Sequence, residues 1–94
     1  MKLYEVVERF KDGQDNKYLY EVGSLYPRPN YKPSEERIKE LETTGNRRGV
    51  VAIVEVDLNT YKVAELRELA EQYDIEVDSS MKKAELVKAI EGAA

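Results

Sequence analysis

The sequence predicts an α+β protein in which a small β-rich domain precedes a two-helix module. β-Branched and aromatic residues are frequent over residues 3–10 and 50–56, as they are in strands. From Val63 onward, apolar residues recur at three- and four-residue steps, which is typical of amphipathic helices. We therefore expect a β-β-α-β domain over residues 1–57 and a helix–loop–helix module over residues 58–94.

The first two strands are predicted to form a hairpin. Residues 3–10 alternate imperfectly between apolar and polar side chains, in the way of a half-buried strand. The segment 12–16 then supplies turn residues, and a second strand is expected over residues 18–22. Asp12, Asp15 and Asn16 are conceivable calcium ligands, but the segment lacks the length and the terminal glutamate of a calcium-binding loop. A hairpin turn is therefore the favoured interpretation.

A proline-rich connection leads to the predicted helix and the last strand. Three prolines between residues 27 and 33 remove backbone donors, which indicates an exposed, irregular segment. Ser34 is the predicted N-cap of a helix over residues 35–41, because its hydroxyl can accept from a free helical N–H. The apolar run over residues 50–56 is predicted to be the central strand of the sheet.

The last third of the chain predicts two short helices joined by an extended loop. Residues 62–66 read KVAEL, and residues 82–86 repeat this pattern as KKAEL. Asp74 is expected to end the first helix, and Ser79 or Ser80 is expected to cap the second. Neither helix would be stable alone at this length, so the pair must form through packing.

Composition narrows the classes of function. The chain contains neither cysteine nor histidine, which removes disulfides, thiolate metal sites and the usual general base near neutral pH. It also lacks a glycine-rich phosphate-binding loop. We therefore expect no catalysis, no cofactor, no metal and no small-molecule substrate. The sequence shows neither an apolar run long enough to span a bilayer nor a secretion signal, so we expect no membrane association.

Residues 58–91 resemble the helix–extended-loop–helix family that includes the Rho termination factor N-terminal domain, the SAP motif and LEM-like motifs. The positions that carry the resemblance are Val63, Ala64, Glu65, Leu66, Leu69, Ala70, Ile75, Met81, Lys83, Ala84, Glu85, Leu86 and Ile90. Lys62 stands where these modules commonly have a hydroxyl cap, so the cap is expected to shift to Asn59 or Thr60. Asp74 stands where glycine is common, and we expect it to adopt a left-handed conformation at modest cost.

The resemblance implies two classes of partner. SAP-type members approach DNA with the N-terminus of the second helix, where backbone N–H groups and lysines can meet a phosphate. The positions that would contact nucleic acid here are Ser79, Ser80, Lys82, Lys83 and Lys88. The alternative is that Ser80 caps the helix while the lysines are only solvated. LEM-like members bind proteins, and residues 58–94, with eight acids against five bases, suit that class.

Tyrosines and arginines around the proline segment form the candidate protein-docking surface. Both residue types are enriched in the cores of protein interfaces. The residues predicted to form this surface are Tyr26, Arg28, Tyr31, Lys32, Arg47 and Arg48. The alternative is that the tyrosines of the second strand are core residues, since Tyr18 and Tyr20 share a face.

Residues 10–49 also resemble short proteins encoded among the head and connector genes of tailed bacteriophages and prophages. The positions that carry this resemblance are Phe10, Asp12, Asp15, Tyr20, Gly23, Tyr26, Pro27, Arg37, Ile38, Leu41 and Asn46. It implies an accessory or structural protein of particle assembly, located in the host cytoplasm or the virion, with a capsid or connector protein as partner. Nucleic-acid binding through residues 79–88 is the second hypothesis, and a regulatory adaptor unrelated to virions is the third.

Overall fold

The computed structural model describes residues 2–46 and 48–93. The chain divides into two compact units. Leu3–Val56 forms the N-terminal unit, and Asp57–Ala94 together with Met1–Lys2 forms the C-terminal unit. Strands and helices are both present, which confirms a mixed α and β protein. In the described part of the chain, no helix has the length and apolar character needed to cross a membrane.

Four short strands, a helix and a fifth strand make up the described part of the N-terminal unit. In chain order they are β1 (Tyr4–Val6), β2 (Phe10–Asp12), β3 (Tyr18–Tyr20), β4 (Leu25–Tyr26), α1 (Glu35–Glu42) and β5 (Ile53–Glu55). The predicted β-β-α-β order is therefore wrong in its first half, where two predicted strands are replaced by four.

A three-stranded antiparallel sheet in the order β4-β1-β5 contains the first strand at its centre. Tyr4 pairs with Tyr26 on one side and with Glu55 on the other. The prediction that the run over residues 50–56 forms the central strand is wrong, because the strand within this run, β5, lies at an edge of the sheet, next to β1. Within this run Ala52 and Ile53 are buried, whereas Val51 and Val54 are 37% and 49% exposed, so its apolar composition does not specify how many strands lie alongside.

The predicted first strand over residues 3–10 is split by a β-bulge. The N–H groups of Val7 and Glu8 both donate to the carbonyl oxygen of Ala52, at 2.8 and 3.3 Å. In a β-bulge, two residues of one strand lie opposite a single residue of its partner, which bends the strand and ends its regular pairing. The chain therefore leaves the three-stranded sheet after β1 and starts a second, two-stranded sheet with β2.

The predicted hairpin is confirmed as the pair of β2 and β3. Phe10 pairs with Tyr20 and Asp12 pairs with Tyr18, and the turn between the strands spans residues 13–17. Because successive side chains of a strand point to opposite faces, Asp12 shares a face with Phe10. Phe10 and Tyr20 are buried in the core, so the register directs a carboxylate inward.

Helix α1 begins where the sequence predicts. The Ser34 hydroxyl accepts from the N–H of Arg37 at 3.1 Å, as an N-cap does. Leu41 is buried and Ile38 packs against the same core, and the Leu41 carbonyl accepts from the N–H of Ala52 at 2.8 Å. The buried residues of this core are Tyr4, Val6, Phe10, Tyr20, Tyr26, Leu41, Ala52 and Ile53.

The C-terminal unit contains a 3₁₀ turn and two helices. The 3₁₀ turn is Leu58–Thr60, α2 is Val63–Gln72 and α3 is Lys83–Glu91. The buried residues of this unit are Leu58, Leu66, Leu69, Ala70, Leu86, Val87 and Ile90. Val63, the first residue of the predicted apolar stripe, is 40% exposed and does not belong to this core.

Helix α2 ends in a Schellman motif. The N–H of Asp74 donates to the carbonyl of Glu71 at 3.2 Å, and the N–H of Ile75 donates to that of Ala70 at 2.8 Å. Asp74 has a φ of 55°, which confirms the predicted left-handed conformation. Residues other than glycine are disfavoured there because Cβ approaches the following carbonyl oxygen.

Both helices of the C-terminal unit begin differently from the prediction. Their N-caps are Lys62 and Lys82, whose N–H groups donate to Glu65 Oε1 at 2.9 Å and Glu85 Oε1 at 3.3 Å. A carboxylate three residues into each helix thus satisfies the cap N–H, which is one half of a capping box. The residues wrongly predicted as caps are Asn59, Thr60, Ser79 and Ser80. The first two lie in the 3₁₀ turn and the last two in the turn before Met81.

Candidate binding surfaces

The β2–β3 hairpin supplies two buried carboxylates, Asp12 at the end of β2 and Asp15 in the turn. Asp12 is completely buried: its Oδ1 accepts from Arg37 Nε at 3.1 Å and from the Gln14 N–H at 3.0 Å, and its Oδ2 accepts from the Tyr26 hydroxyl at 3.0 Å. Arg37 Nη2 lies 3.0 Å from the same Oδ1, and the Arg37 side chain is only 15% exposed. A buried carboxylate needs a cation and hydrogen-bond donors, and Asp12 has both.

The second carboxylate, Asp15, holds Arg28. Arg28 Nε donates to Asp15 Oδ2 at 2.7 Å and Nη2 donates to Oδ1 at 2.8 Å, which makes the pair bidentate. The Tyr20 hydroxyl donates to Asp15 Oδ2 at 3.0 Å and accepts from the backbone N–H of Arg28 at 3.2 Å. The main chain and the guanidinium of Arg28 are thereby both fixed to the hairpin.

Burial, neighbouring charges and hydrogen bonds with Arg28 determine the direction in which the pKa values of this tyrosine–carboxylate network are shifted. The hydrogen bonds from Arg28 lower the pKa of Asp15, although burial of the carboxylate acts in the opposite direction. Burial, followed by the neighbouring Asp12 charge, raises the pKa of Tyr26. Burial also raises the pKa of Tyr20. The phenols therefore stay protonated and act as donors, while the pairing with Arg28 favours the charged form of Asp15.

Tyr18 and Arg28 are the parts of this network that reach the surface. The Arg28 guanidinium carbon lies 4.2 Å from the centre of the Tyr18 ring, in cation–π geometry. Tyr18 is 43% exposed, and its ring meets that of Tyr20 edge-on with centroids 4.9 Å apart. An exposed tyrosine and an exposed arginine are therefore held in place by a buried carboxylate and a buried tyrosine. We call Tyr18, Arg28 and the adjacent Lys17 the hairpin surface.

The residues predicted for protein docking are placed in different environments. Tyr26 is fully buried, so the prediction that it is a surface contact is wrong. Its hydroxyl donates a hydrogen bond to Asp12 inside the unit. Arg28 is partly exposed, Tyr31 is half-buried, with its ring 6.2 Å from that of Tyr26, and Lys32 is exposed. Only the residues from 28 to 32 thus remain near the hairpin surface.

Arg48, a further residue predicted for docking, does not join this surface. Arg48 donates from Nη1 to the carbonyl oxygen of Arg9 at 2.5 Å, and its Nη2 lies 3.9 Å from Glu8 Oε2. These partners precede β2, whereas Arg28 binds Asp15 in the turn after β2, so the two arginines lie at opposite ends of that strand. Arg47 lies outside the described residues.

The predicted nucleic-acid contact at the start of α3 is already occupied by acidic side chains. Asp78 Oδ1 accepts from both the N–H and the hydroxyl of Ser80, each at 2.8 Å. These bonds lower the pKa of Asp78. The N–H of Lys82 donates to Glu85, as described above. Two backbone donors that a phosphate would need are thus paired with carboxylates that would repel it.

Arg67 of α2 organises the loop before α3. Its Nη2 donates to the carbonyl oxygens of Ser79 at 3.1 Å and Met81 at 3.0 Å, and its Nη1 donates to that of Asp78 at 3.3 Å. Three exposed or half-buried loop residues are therefore held against α2 by one guanidinium. Because Arg67 binds carbonyl groups, it is not a free cation for a phosphate.

The three lysines of this site do not share one face. Lys82, Lys83 and Lys88 are exposed, and within the described residues no salt bridge engages them. At 3.6 residues per turn, the five-residue step from Lys83 to Lys88 turns about 140° around the helix. Lys82 and Lys83 can act together at the helix start, whereas Lys88 lies on a different side of α3.

Sequence reasoning missed the buried network, although one signal for it was present. Phe10 and Asp12 are two positions apart in a strand, so their side chains point to the same face. Because Phe10 faces the core, Asp12 is predicted to point inward and to need a buried cation. The sequence predicts Asp12 and Asp15 in a hairpin turn and does not predict the arginines that pair with them. The participation of Tyr18 in the surface follows from its contact with Arg28, which no local pattern encodes.

The C-terminal unit is a two-helix module with an extended loop, and residues 57–94 match the sequence model of the family described as Rho termination factor, N-terminal domain. The matched segment begins at Asp57, where the C-terminal unit begins. This supports the predicted resemblance of the module to the Rho N-terminal domain. Searches of curated proteins and of solved structures found no match to the chain.

Proposed function

We propose that this protein is a non-enzymatic binding protein that docks on a protein partner through the hairpin surface of its N-terminal unit. The observation that carries the proposal is the immobilised, exposed pair of Tyr18 and Arg28. Tyrosine and arginine provide much of the binding energy at protein interfaces. Tyr31 and Lys32, on the adjoining segment, extend the surface that a partner would contact.

Immobilisation matters because binding costs conformational entropy. Ordering a flexible side chain at an interface costs about 0.5–1.5 kcal/mol. Arg28 is held by Asp15, Tyr20 and Tyr18 before any partner arrives, so most of that cost is met during folding. A rigid Tyr–Arg pair on a surface that needs no further ordering is a favourable anchor for docking.

The biological setting that we propose is the assembly of bacteriophage or prophage particles, with a capsid or connector protein as partner. The support is the resemblance of residues 10–49 to proteins of head and connector gene clusters. Quantitative mass spectrometry of purified particles and of the cytoplasm of producing cells tests this setting. We expect the protein in particles or in assembly intermediates; its presence only in free form would contradict the setting and leave docking itself untouched.

Site-specific photo-crosslinking tests the docking function. A benzophenone amino acid replaces Tyr18, and in a matched control it replaces Glu36, an exposed residue at the start of α1. We expect a discrete protein adduct from position 18 that the control lacks and that Arg28→Ala reduces. If both positions give the same adducts, or neither gives any, the hairpin surface is not a docking site.

Nucleic-acid binding by the C-terminal unit is the second candidate. The observation that favours it is the match of residues 57–94 to the Rho N-terminal domain, combined with the exposed ammonium groups of Lys82 and Lys83, which no salt bridge engages in the part of the chain that the structure describes. The carboxylates at the start of α3 oppose it. The unit is also acidic over residues 57–94, with nine acids against five bases, whereas nucleic-acid binders usually present a basic surface.

Fluorescence anisotropy with labelled single- and double-stranded DNA separates the two candidates. Phosphate contacts release counterions, so binding through lysines must weaken steeply as salt rises. Lys82→Glu combined with Lys83→Glu should abolish such binding, and Lys88→Glu is the control because Lys88 lies on another side of α3. Binding that is absent at low salt, or that the double variant leaves unchanged, removes this candidate.

A further inference from the structure

The segment that carries the hairpin surface has an excess of uncompensated positive charge. Residues 9–34 contain five bases and three acids. Two of the acids, Asp12 and Asp15, are buried in ion pairs, and the third, Glu21, lies 3.5 Å from Arg9. The bases of this segment that no salt bridge engages are Lys11, Lys17 and Lys32, all within the described residues. No exposed carboxylate of the same segment is left to balance them.

Two of these lysines border the Tyr18–Arg28 pair. Lys17 precedes Tyr18 in the chain. Lys32 follows a turn in which the N–H of Tyr31 donates to the carbonyl of Arg28 at 3.3 Å. Lys11 differs: it lies opposite Leu19 in the hairpin, and strand alternation directs it away from the face of Asp12. Lys17 and Lys32 are therefore exposed bases next to Tyr18 and to the Arg28–Tyr31 turn in the chain, while Lys11 belongs to the other side of the hairpin.

Arg28 retains hydrogen-bonding capacity toward a ligand. A guanidinium has five N–H donors, and the two bonds to Asp15 use Nε and one N–H of Nη2. Nη1 makes no hydrogen bond within the described residues. A carboxylate that approaches this nitrogen meets a guanidinium that is already oriented over the ring of Tyr18, the residue that follows Lys17 in the chain.

We propose that the hairpin surface recognises a short acidic segment of its protein partner. A carboxylate of that segment binds Arg28 Nη1 and Lys17, an apolar side chain covers the Tyr18 ring, and a further carboxylate pairs with Lys32. This inference rests on the proposed docking function and names the chemistry of the partner. Opposite charge steers association and selects the partner, while the aromatic contact supplies apolar burial.

An acidic peptide fits this surface better than a polynucleotide. The basic surface is confined to a few residues, and the helix that follows it begins with Glu35 and Glu36. The whole chain carries a net charge of −4. Duplex DNA has one charge per about 1.7 Å of its axis, so a strand longer than this surface would extend over repelling carboxylates. A short segment can end before it reaches them.

The test uses two fluorescein-labelled peptides, one of alternating glutamate and leucine and one in which every glutamate is glutamine, together with a labelled oligothymidine. Anisotropy is measured with the full chain, with Tyr18→Ala, with Lys17→Glu combined with Lys32→Glu, and with Lys11→Glu. Lys11→Glu is the matched control, because it reverses one charge on the opposite side of the same hairpin. Near-UV circular dichroism confirms that each variant is folded.

We expect the glutamate peptide to bind at least about tenfold tighter than the glutamine peptide, a difference of about 1.4 kcal/mol. The Lys17/Lys32 double variant should remove that preference, Tyr18→Ala should weaken both peptides, and Lys11→Glu should retain most of the binding. Equal binding of the two peptides, equal loss with Lys11→Glu, or tighter binding of oligothymidine would overturn the inference. If the glutamate peptide fails while crosslinking from position 18 succeeds, docking stands and the acidic partner is wrong; failure of both removes both proposals.

Discussion

Replacing Asp12 with asparagine tests whether the buried network holds the N-terminal unit together. Asp12 is fully buried, and its Oδ1 binds Arg37, whose side chain is itself 15% exposed. Asp12→Asn leaves that guanidinium without its buried counter-charge, and breaking a buried ion pair costs about 3–5 kcal/mol. Arg37 keeps Glu40, 3.4 Å from Nη1, so we expect a loss near the lower end, about 3 kcal/mol. That is a large part of the total, since domains have about 0.05–0.15 kcal/mol of stability per residue.

Urea unfolding followed by near-UV circular dichroism measures this loss. The chain has seven tyrosines and no tryptophan, and five of the tyrosines lie in the N-terminal unit, so the signal reports mainly on that unit. Glu36→Gln, at an exposed carboxylate, is the control and should change stability by less than about 0.5 kcal/mol. Tyr26→Phe removes one hydrogen bond to Asp12 and should cost about 1–2 kcal/mol.

A double-mutant cycle decides whether the ion pair is the cause. Arg37→Met in the Asp12→Asn background removes the unpaired charge, so the double variant should be more stable than Asp12→Asn alone. The reasoning is refuted if Asp12→Asn costs less than about 1 kcal/mol, or if the two substitutions destabilise additively, because additivity means that the residues do not interact.

Three further predictions concern single residues. Asp74→Gly should raise the stability of the C-terminal unit by about 1 kcal/mol, because glycine adopts the left-handed conformation without strain, while Asp74→Ala should lower it; thermal unfolding by far-UV circular dichroism compares the two. Because Arg28 lowers the pKa of Asp15 in the folded state, stability from this group is present above the ordinary pKa of 3.8 and is lost as the pH falls through the lower folded value, so urea midpoints of wild type should decline below pH 3.8 more steeply than those of Asp15→Asn. Burial, followed by the charge of Tyr61, raises the pKa of Tyr73 to about 12 from 10.0, so stability should fall between these pH values, and Tyr73→Phe should make that decline shallower in alkaline urea titrations, while the buried tyrosines of the N-terminal unit maintain the rest of it.

The elements that the sequence predicted correctly depend on local signals. Ser34 caps α1 because its hydroxyl accepts from a free N–H of the first turn, and in the turn after Asp12 the positive φ of 50° falls on Asn16, which tolerates it. The Schellman motif at Asp74 likewise needs only the residues of one turn. Each of these features is determined within a few positions of the chain, where one sequence is informative.

The features that the sequence did not predict depend on distant partners. The bulge at Val7 and Glu8 forms against the carbonyl of Ala52, and the sequence around Val7 does not predict that contact. The position of β5 at an edge depends on which strand pairs with β1, because burial alone gives the same apolar run in either place. The caps at Lys62 and Lys82 were missed for another reason: the glutamate three residues later was visible, but a hydroxyl was expected.

The candidate site likewise combines features that the local sequence predicts with features that depend on distant partners. Its chemical character, tyrosine with arginine beside a proline segment, was visible in the sequence. The sequence does not show which of these residues reach the surface, because the packing of the network buries Tyr26 and exposes Tyr18.

The buried carboxylate Asp15 also connects the stability of the hairpin to its binding. A partner cannot touch Asp15, whose side chain is 6% exposed, yet this residue holds Arg28 in place. Asp15→Asn makes the surface more positive, so electrostatic attraction alone predicts tighter binding of the glutamate peptide. If the main role of Asp15 is to position Arg28, the freed arginine must be ordered on binding and the affinity should fall several-fold, mostly through faster dissociation. Stopped-flow measurements on the folded Asp15→Asn variant show whether the affinity for the glutamate peptide rises or falls. Lys11→Gln is the control for a change of one charge on the hairpin. Tighter binding by Asp15→Asn would show that charge, and not immobilisation of Arg28, governs this surface.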